Sequence, residues 1–293
     1  MSIQLDTVSI ARLSLHNPNR FSIQHSQTLH RLALLQHWNI TTGAKVLELG
    51  CGQGDCTTVL AHAVGDQGSV VAVDPADLDY GTPYNLGEAQ GHISQGPLGR
   101  RITWVQQAPL DYLSSFPSPP ASDSKAFDAT VLAHCLWYFP SPSHIHSTFC
   151  AIKQHSKCLL LAEWSLVATH PSAQPHVLAA LTQAALECHK SNSVSNIRTV
   201  LSPKRLTELA LAAGWQLESE TRVQAVEGLL DGQWEVSACL SPSFKREIEE
   251  NVGDERQRAV IFALRDACKA SLDVVQGGLA GVTGMDTWVA SFV

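Results

Sequence analysis

The feature that most constrains this chain is the passage Val46-Leu47-Glu48-Leu49-Gly50-Cys51-Gly52-Gln53-Gly54-Asp55. A short run of buried-strand residues passes directly into glycines at alternate positions and then into a helix start. Glycines there let the backbone turn tightly and let a ligand approach where a Cβ would otherwise stand. The helix that follows presents unpaired N–H groups in its first turn. Nineteen residues after Asp55 a second apolar run ends in Asp74, an acid placed to accept hydrogen bonds from a ribose diol. Strand, glycine turn, helix, strand and terminal acid together predict a site for a nucleoside-containing cofactor.

The same run-and-helix unit recurs. Lys45 to Leu49, Val70 to Asp74, Ile102 to Gln106, Asp128 to Ala133 and Cys158 to Glu163 are short and almost continuously apolar. Such runs mark strands buried on both faces, hence a parallel sheet covered by helices. Trp215 to Val223 and Asp286 to Val293 read as two further strands, expected as a hairpin-like pair at the sheet edge. The expected fold is therefore α/β, a doubly wound, seven-stranded, mostly parallel sheet in a single domain over 1–293.

Helices are expected to elaborate it: an N-terminal helical cap over 1–40 and helical lid insertions over 170–195 and 231–280. Ser202 as N-cap, Pro203 at the first helical position and a stop at Gly214 frame a surface helix striped by Leu206, Leu209, Ala210 and Ala213. Val177, Leu181, Ala184 and Cys188 stripe one lid helix, and Val260, Leu264, Ala267, Ser271 and Val275 stripe a second within Ser241 to Val275. Both would sit above the C-terminal ends of the strands, with Trp234 as hydrophobic closure. Gly81 to Gly99, with five glycines, reads as a functional loop, and Ser114 to Lys125 as a Ser/Pro-rich surface linker.

Charge narrows the partners. Twenty Lys plus Arg against 27 Asp plus Glu give a net charge of −7, and no basic run exceeds a pair, which argues against nucleic acid and for a small-molecule partner. No apolar stretch approaches the roughly 18 to 20 residues that crossing a bilayer needs, so no membrane partner and a cytoplasmic location are expected. The eight cysteines include no pair at the two-residue spacing of zinc or redox motifs. The thirteen histidines show no metal-binding arrangement either, His144 and His146 falling in a Ser/Pro-rich loop, and no metal site is expected.

Dinucleotide sites favour Gly-x-Gly-x-x-Gly; here the spacing is Gly-x-Gly-x-Gly preceded by Glu48. This resembles the first motif of class I S-adenosylmethionine-dependent methyltransferases, over about residues 40 to 220 with the terminal strand. Phe127 to Phe139 is similar to the corresponding stretch of fungal small-molecule methyltransferases. The resemblance implies S-adenosylmethionine as cofactor. It places Glu48 at the methionine end, Gly50, Cys51, Gly52 and Gly54 in the loop beneath it, and Asp74 with Pro75 at the ribose. Near the adenine the family often carries an acid followed by a small residue; here Gln107 and Ala108 stand there, within Gln106-Gln107-Ala108-Pro109, a departure from the pattern.

His134, Trp137 and Tyr138 follow the fourth strand, where this fold faces the transferring methyl group. Trp137 and Tyr138 are read as walls of an acceptor slot. His134, beside the cofactor, and Tyr138 are candidates to take the acceptor's proton. Glu163 and Trp164, at the end of the fifth strand, are candidates to hold and stack on a cationic acceptor. In the N-terminal cap, one of Arg20 and Arg31 is a candidate for the cofactor's carboxylate, a solvated helix face being the plainer reading. The expected activity is methyl transfer to a nitrogen or oxygen of a small organic acceptor. The rival is a protein that binds the cofactor without transferring its methyl, as a pericyclase-like catalyst or a regulatory partner. A nicotinamide oxidoreductase is disfavoured by the glycine spacing.

Overall fold

All five early apolar runs are strands in the computed structural model, which describes residues 6–116, 125–191, 193 and 195–293. They are β1 Lys45–Leu49, β2 Ser69–Asp74, β3 Ile102–Gln106, β4 Phe127–Ala133 and β5 Ser156–Trp164, paired in parallel. β6 Leu217–Val223 and β7 Thr287–Phe292 complete a seven-stranded sheet in the order β3-β2-β1-β4-β5-β7-β6. β7 enters between β5 and β6 and is antiparallel to both, so the two late strands pair without being a hairpin. Exposed Glu218, Glu220 and Arg222 leave β6 a charged outer edge, which discourages pairing with another chain. The winding reverses between β1 and β4, and the crevice beyond the C-terminal ends of those strands is where open α/β sheets bind ligands.

Eleven helices surround the sheet among the described residues: α1 Thr7–Ala11, α2 Phe21–Leu35, α3 Asp55–Val64, α4 Leu86–Gln95, α5 Pro109–Ser114, α6 Pro142–His155, α7 Gln174–Glu187, α8 Pro203–Ala212, α9 Asp231–Leu240, α10 Pro242–Asn251 and α11 Glu255–Asp273. The period-two alternation of β1 decides what each layer meets. Leu47 and Leu49 enter a core with Phe149 and Ile152 of α6 and Leu206 of α8, whereas Val46 faces Cys56 and Leu60 of α3. Glu48 lies on the same side as Val46, and its carboxylate meets Thr57 of α3.

Several local expectations change. Gly81 to Gly99 is not one long loop, because Asn85 and Glu88 form a reciprocal capping box that starts α4. His144 and His146 lie on α6, which begins at Pro142 with Ser141 as its side-chain cap. Ser202 does precede α8, but its side chain makes no capping hydrogen bond. Residues 117–124 of the Ser/Pro-rich linker lie outside the described residues.

The insertion helices also differ from the surface lids the stripes suggested. α7, α9, α10 and α11 share a core of their own, with Ala179, Leu186, Val236, Cys239, Ile248, Ile261 and Cys268 buried together. α7 is flanked by α9 and α11, so it is buried on several sides, and Cys188 of its expected stripe is exposed. In α11 the expected stripe is one residue out of phase: Val260 is 60% exposed, while Ile261 and Cys268 face inward. Trp234, expected as closure, is 51% exposed. Trp137, Trp164, Val177, Ile197 and Met285 join this helical unit to the strand ends.

Candidate functional site

A cavity of about 260 Å³ opens where β1 and β4 end, lined by the glycine loop, the segment after β4, the end of β5, and residues from α2, α7 and α9. The loop is held from below. Gly50 and Cys51 donate their N–H groups to the Val73 carbonyl at 2.8 and 3.2 Å, and Gly52 donates to Asp74 Oδ2 at 2.8 Å. Gly50 and Gly54 need to be glycine for two reasons. Their φ angles are +78° and +96°, and a Cβ on Gly50 would lie 2.5 Å from Cys135 Cβ, while one on Gly54 would lie 2.7 Å from the Trp104 ring. Gly52, at φ +51°, is different: a Cβ there would meet nothing within 4 Å, so one side of the loop is an open cradle.

Glu48 closes the cavity beneath this cradle and is 2% exposed. Burial raises its pKa to about 7, against the opposing effect of the 2.5 Å hydrogen bond that Thr57 Oγ1 donates to Oε2. Asp74, half-buried at the end of β2, also accepts the Ala76 N–H, so each of its oxygens holds one backbone donor and keeps a further acceptor position.

The opposite wall begins at His134, a non-glycine residue at φ +54°. Its Nε2 lies 2.9 Å from His30 Nε2 of α2, and its Nδ1 lies 3.6 Å from Glu163 Oε1. The Trp164 ring is 4.3 Å from that of His134 and stacks on His30. Glu163, 1% exposed, accepts backbone N–H groups from Leu136 and Trp137 on Oε2 and from Trp164 on Oε1. Its carboxylate is thus engaged in fixing the turn that carries Trp137 and Tyr138. Trp137 is buried, its indole N–H donating to the Leu201 carbonyl at 3.1 Å. Tyr138 is 44% exposed as a residue, but its phenol end is recessed among Glu235, Glu163 and Asp231, and burial first and those carboxylates second hold its pKa above the ordinary value.

Asp231 and Glu235 of α9 and His176 of α7 complete the lining. Arg31 is the lining's one Lys or Arg, and its guanidinium bonds the Gln27 side chain at 2.5 Å.

Comparison with known proteins supplies the family. Residues 16–78, from just before α2 to just beyond β2, match the model of the protein-L-isoaspartate(D-aspartate) O-methyltransferase family. The fungal methyltransferase phomM of Diaporthe leptostromiformis is 29% identical over 278 residues, covering 84% of this chain and 72% of that protein. A cyclopropane-fatty-acyl-phospholipid synthase-like protein from Lactobacillus casei has a crystal structure that superposes with a TM-score of 0.82. It is 32% identical, with 98% of each chain covered. The chain belongs to the class I S-adenosylmethionine-dependent methyltransferases. The cyclopropane synthase MmaA2 of Mycobacterium tuberculosis, 13% identical with a TM-score of 0.51 over 98% of this chain and 93% of that one, shares the methyltransferase fold alone.

Of the residues singled out from sequence, the methyltransferase brings Glu48, Gly50, Cys51, Gly52, His134, Trp137, Tyr138, Glu163 and Trp164 to one cavity. Gly54 stands behind the loop as the left-handed N-cap of α3. Asp74, exposed Pro75, exposed Gln107 and half-buried Ala108 lie off the lining at the ends of β2 and β3, where the Gln107 N–H donates to the Asp74 carbonyl at 3.1 Å. Arg31 lines the cavity and exposed Arg20 does not. The sequence motifs gave Asp55, His176, Asp231 and Glu235 no role at the site. The i, i+4 spacing of Asp231 and Glu235 was the available signal for a shared face. Among the described residues no group of three or more His, Cys, Asp or Glu forms a metal site, and no helix is long and apolar enough to cross a membrane.

Proposed function

We propose that this methyltransferase moves the methyl group of S-adenosylmethionine to a nitrogen or oxygen of a small organic acceptor. One observation carries the reading: a single recess of about 260 Å³ sets the glycine loop and Glu48 against Trp137, Tyr138 and the acids of α9. The volume suits the reacting ends of two small molecules. A lining with Arg31, Glu48, Asp55, Asp231 and Glu235 favours a polar acceptor over an acyl chain.

The residues fit the cofactor. The open side of Gly52 leaves room for a ligand against bare backbone, and the free acceptor positions of Asp74 suit a ribose diol. When bound, S-adenosylmethionine supplies an electrophilic methyl group on a sulfonium. Glu48 would hold the cationic methionine end, with Gly50 and Cys51 beside it. Asp74 and Pro75 would flank the ribose, and Gln107 and Ala108 the adenine. Trp137 and Tyr138 would wall the acceptor side, with Trp164 behind His134. α7 and α9 would keep water from the recess as its lid. The chain's contribution to rate would be alignment, which can supply about 7 to 11 kcal/mol of a barrier.

The test is product formation. Purified protein with methyl-labelled S-adenosylmethionine is incubated with a panel of amines, phenols, carboxylic acids and thiols, and products are identified by mass spectrometry. A methylated nitrogen or oxygen is expected. No methylated product across the panel would favour the rival of cofactor binding without methyl transfer.

A further inference from the structure

Asp231 and Glu235 stand one turn apart on the face of α9 that lines the cavity. Each is anchored by an amide from a different helix. Gln27 of α2 donates to Asp231 Oδ2 at 2.9 Å, and Gln183 of α7 donates to Glu235 Oε2 at 2.7 Å. Among the described residues the second oxygen of each carboxylate accepts no hydrogen bond, and neither acid forms an ion pair. The pair is therefore fixed in place without an ion-pair partner, since Arg31, the one Lys or Arg of the same lining, bonds Gln27 instead, and a cationic ligand would complete it.

A second observation on the same wall is independent of these acids. His176 is fully buried, and its Nδ1 accepts the Met285 N–H at 3.0 Å. Burial holds its pKa down to about 4, so the ring is neutral and its one proton sits on Nε2. That N–H has no partner. A buried, unpartnered donor lining a cavity calls for an acceptor atom on what enters it.

We propose that Asp231 and Glu235 bind a cationic amine as the methyl acceptor, with His176 Nε2–H donating to a carbonyl or carboxylate oxygen carried close to that amine. This rests on the methyl-transfer reading and narrows it to nitrogen. An ammonium has no lone pair, so one proton must leave first. Glu235 takes it, becoming a carboxylic acid. The freed nitrogen pair forms the N–C bond as the C–S bond breaks, and the electrons of that bond stay on sulfur. The methylated ammonium carries the positive charge away, and Glu235 returns its proton to solvent. Burial, with Asp231 adding to it against the Gln183 hydrogen bond, holds the Glu235 carboxyl above the usual range, a shift in the direction that favours its taking up a proton.

The test uses matched probes that differ in charge. Full-length protein saturated with S-adenosylhomocysteine is titrated calorimetrically with phenylalaninamide and with its α-hydroxy counterpart phenyllactamide. The amine is expected to bind at least about tenfold more tightly, as one charge-assisted hydrogen bond implies. Asp231→Asn and Glu235→Gln should each remove most of that preference while S-adenosylhomocysteine affinity stays within about threefold. His176→Leu should weaken both probes together. Equal binding of the two probes, binding of neither, or an unchanged preference in both acid variants overturns the inference. If a variant no longer binds S-adenosylhomocysteine, the wild-type comparison of the two probes decides. Methylation of hydroxyl probes but not amines would overturn this inference and leave methyl transfer standing. Absence of any methylated product would instead count against methyl transfer itself.

Discussion

His134 Nε2 and His30 Nε2 lie 2.9 Å apart, so one imidazole donates to the other. Glu163 Oε1, 3.6 Å from His134 Nδ1, favours a proton on that nitrogen over a lone pair facing a carboxylate. His134 then accepts from His30, whose own pKa is pushed well below the ordinary value by burial first and by His134 and Arg31 after it. In that tautomer the Nε2 lone pair of His134 is taken by His30 and Nδ1 carries the proton without a hydrogen-bond partner, which leaves no free lone pair for the acceptor and reads His134 as a positioning residue for the turn that bears Trp137 and Tyr138.

His134→Asn should accordingly preserve the acid limb of the turnover pH profile, and Asn tolerates the positive φ. His134→Ala should cost about 1 to 3 kcal/mol in urea denaturation, because it leaves the His30 N–H buried and unpaired. Loss of the acid limb in His134→Asn would restore His134 as the base.

Glu48 at the proposed methionine end should make cofactor binding a proton-releasing event. With its pKa at about 7 in the free protein, much of it is protonated at pH 6.5, and a cationic methionine end should ionise it. Calorimetry of S-adenosylhomocysteine binding in phosphate and in Tris should give enthalpies that differ by a fraction of a proton at pH 6.5 and converge by about pH 9. Glu48→Gln should abolish the difference. Enthalpies independent of buffer in the wild type would remove Glu48 from the cofactor site.

The three loop glycines should fail in different ways. Gly50→Ala drives a Cβ into Cys135 at a positive φ, so it should lower the thermal midpoint as well as cofactor affinity. Gly52→Ala meets no protein atom and carries only the backbone strain, about 1 to 2 kcal/mol, but it fills the cradle. It should keep most of the stability and lose at least about tenfold in S-adenosylhomocysteine affinity. Unchanged affinity in Gly52→Ala would mean the cofactor does not pass over that residue.

The strands were legible because burial on both faces leaves an unbroken apolar run, and the loop was legible because its whole geometry is written in ten consecutive residues. The insertion helices were harder. Val260, Ile261, Phe262, Ala263 and Leu264 are consecutive apolar residues compatible with more than one phase; the inward phase is fixed in part by Arg265, which donates to the carbonyls of Cys239 and Leu240. α7 has neighbours on several sides, so no single stripe describes it. The glycines of Gly81 to Gly99 hid a helix that the Asn85 and Glu88 box nucleates. The proposed acceptor wall was least visible. Carboxylates one turn apart ordinarily mark a solvated face, and only the approach of Gln27 and Gln183 from distant helices turns Asp231 and Glu235 inward. His176 reads as any core histidine until the Met285 N–H fixes its tautomer.

The buried ionisable groups also set how the free protein responds to acid. Burial lowers His176 from 6.5 to about 4, so between those values the unfolded chain binds a proton that the folded chain refuses, and stability is lost as the pH falls through 6.5 toward 4. Glu48 acts oppositely. Its folded value of about 7 lies above its ordinary 4.5, so stability is lost as the pH rises from 4.5 to 7. Between pH 7 and pH 5 the Glu48 span is the wider, running from 7 to 5 against 6.5 to 5 for His176, so His30, depressed in the same direction as His176, decides the sign contributed by these three groups. The cluster should therefore make the free protein less stable on going from pH 7 to pH 5. His30→Gln, whose amide can still donate to His134, should lose less of its thermal midpoint over that range than the wild type, and Glu48→Gln should lose more, because the compensating carboxyl is gone. Melting curves of the three proteins at half-unit pH steps check this. Parallel pH dependences would show that neither His30 nor Glu48 changes its proton occupancy on folding.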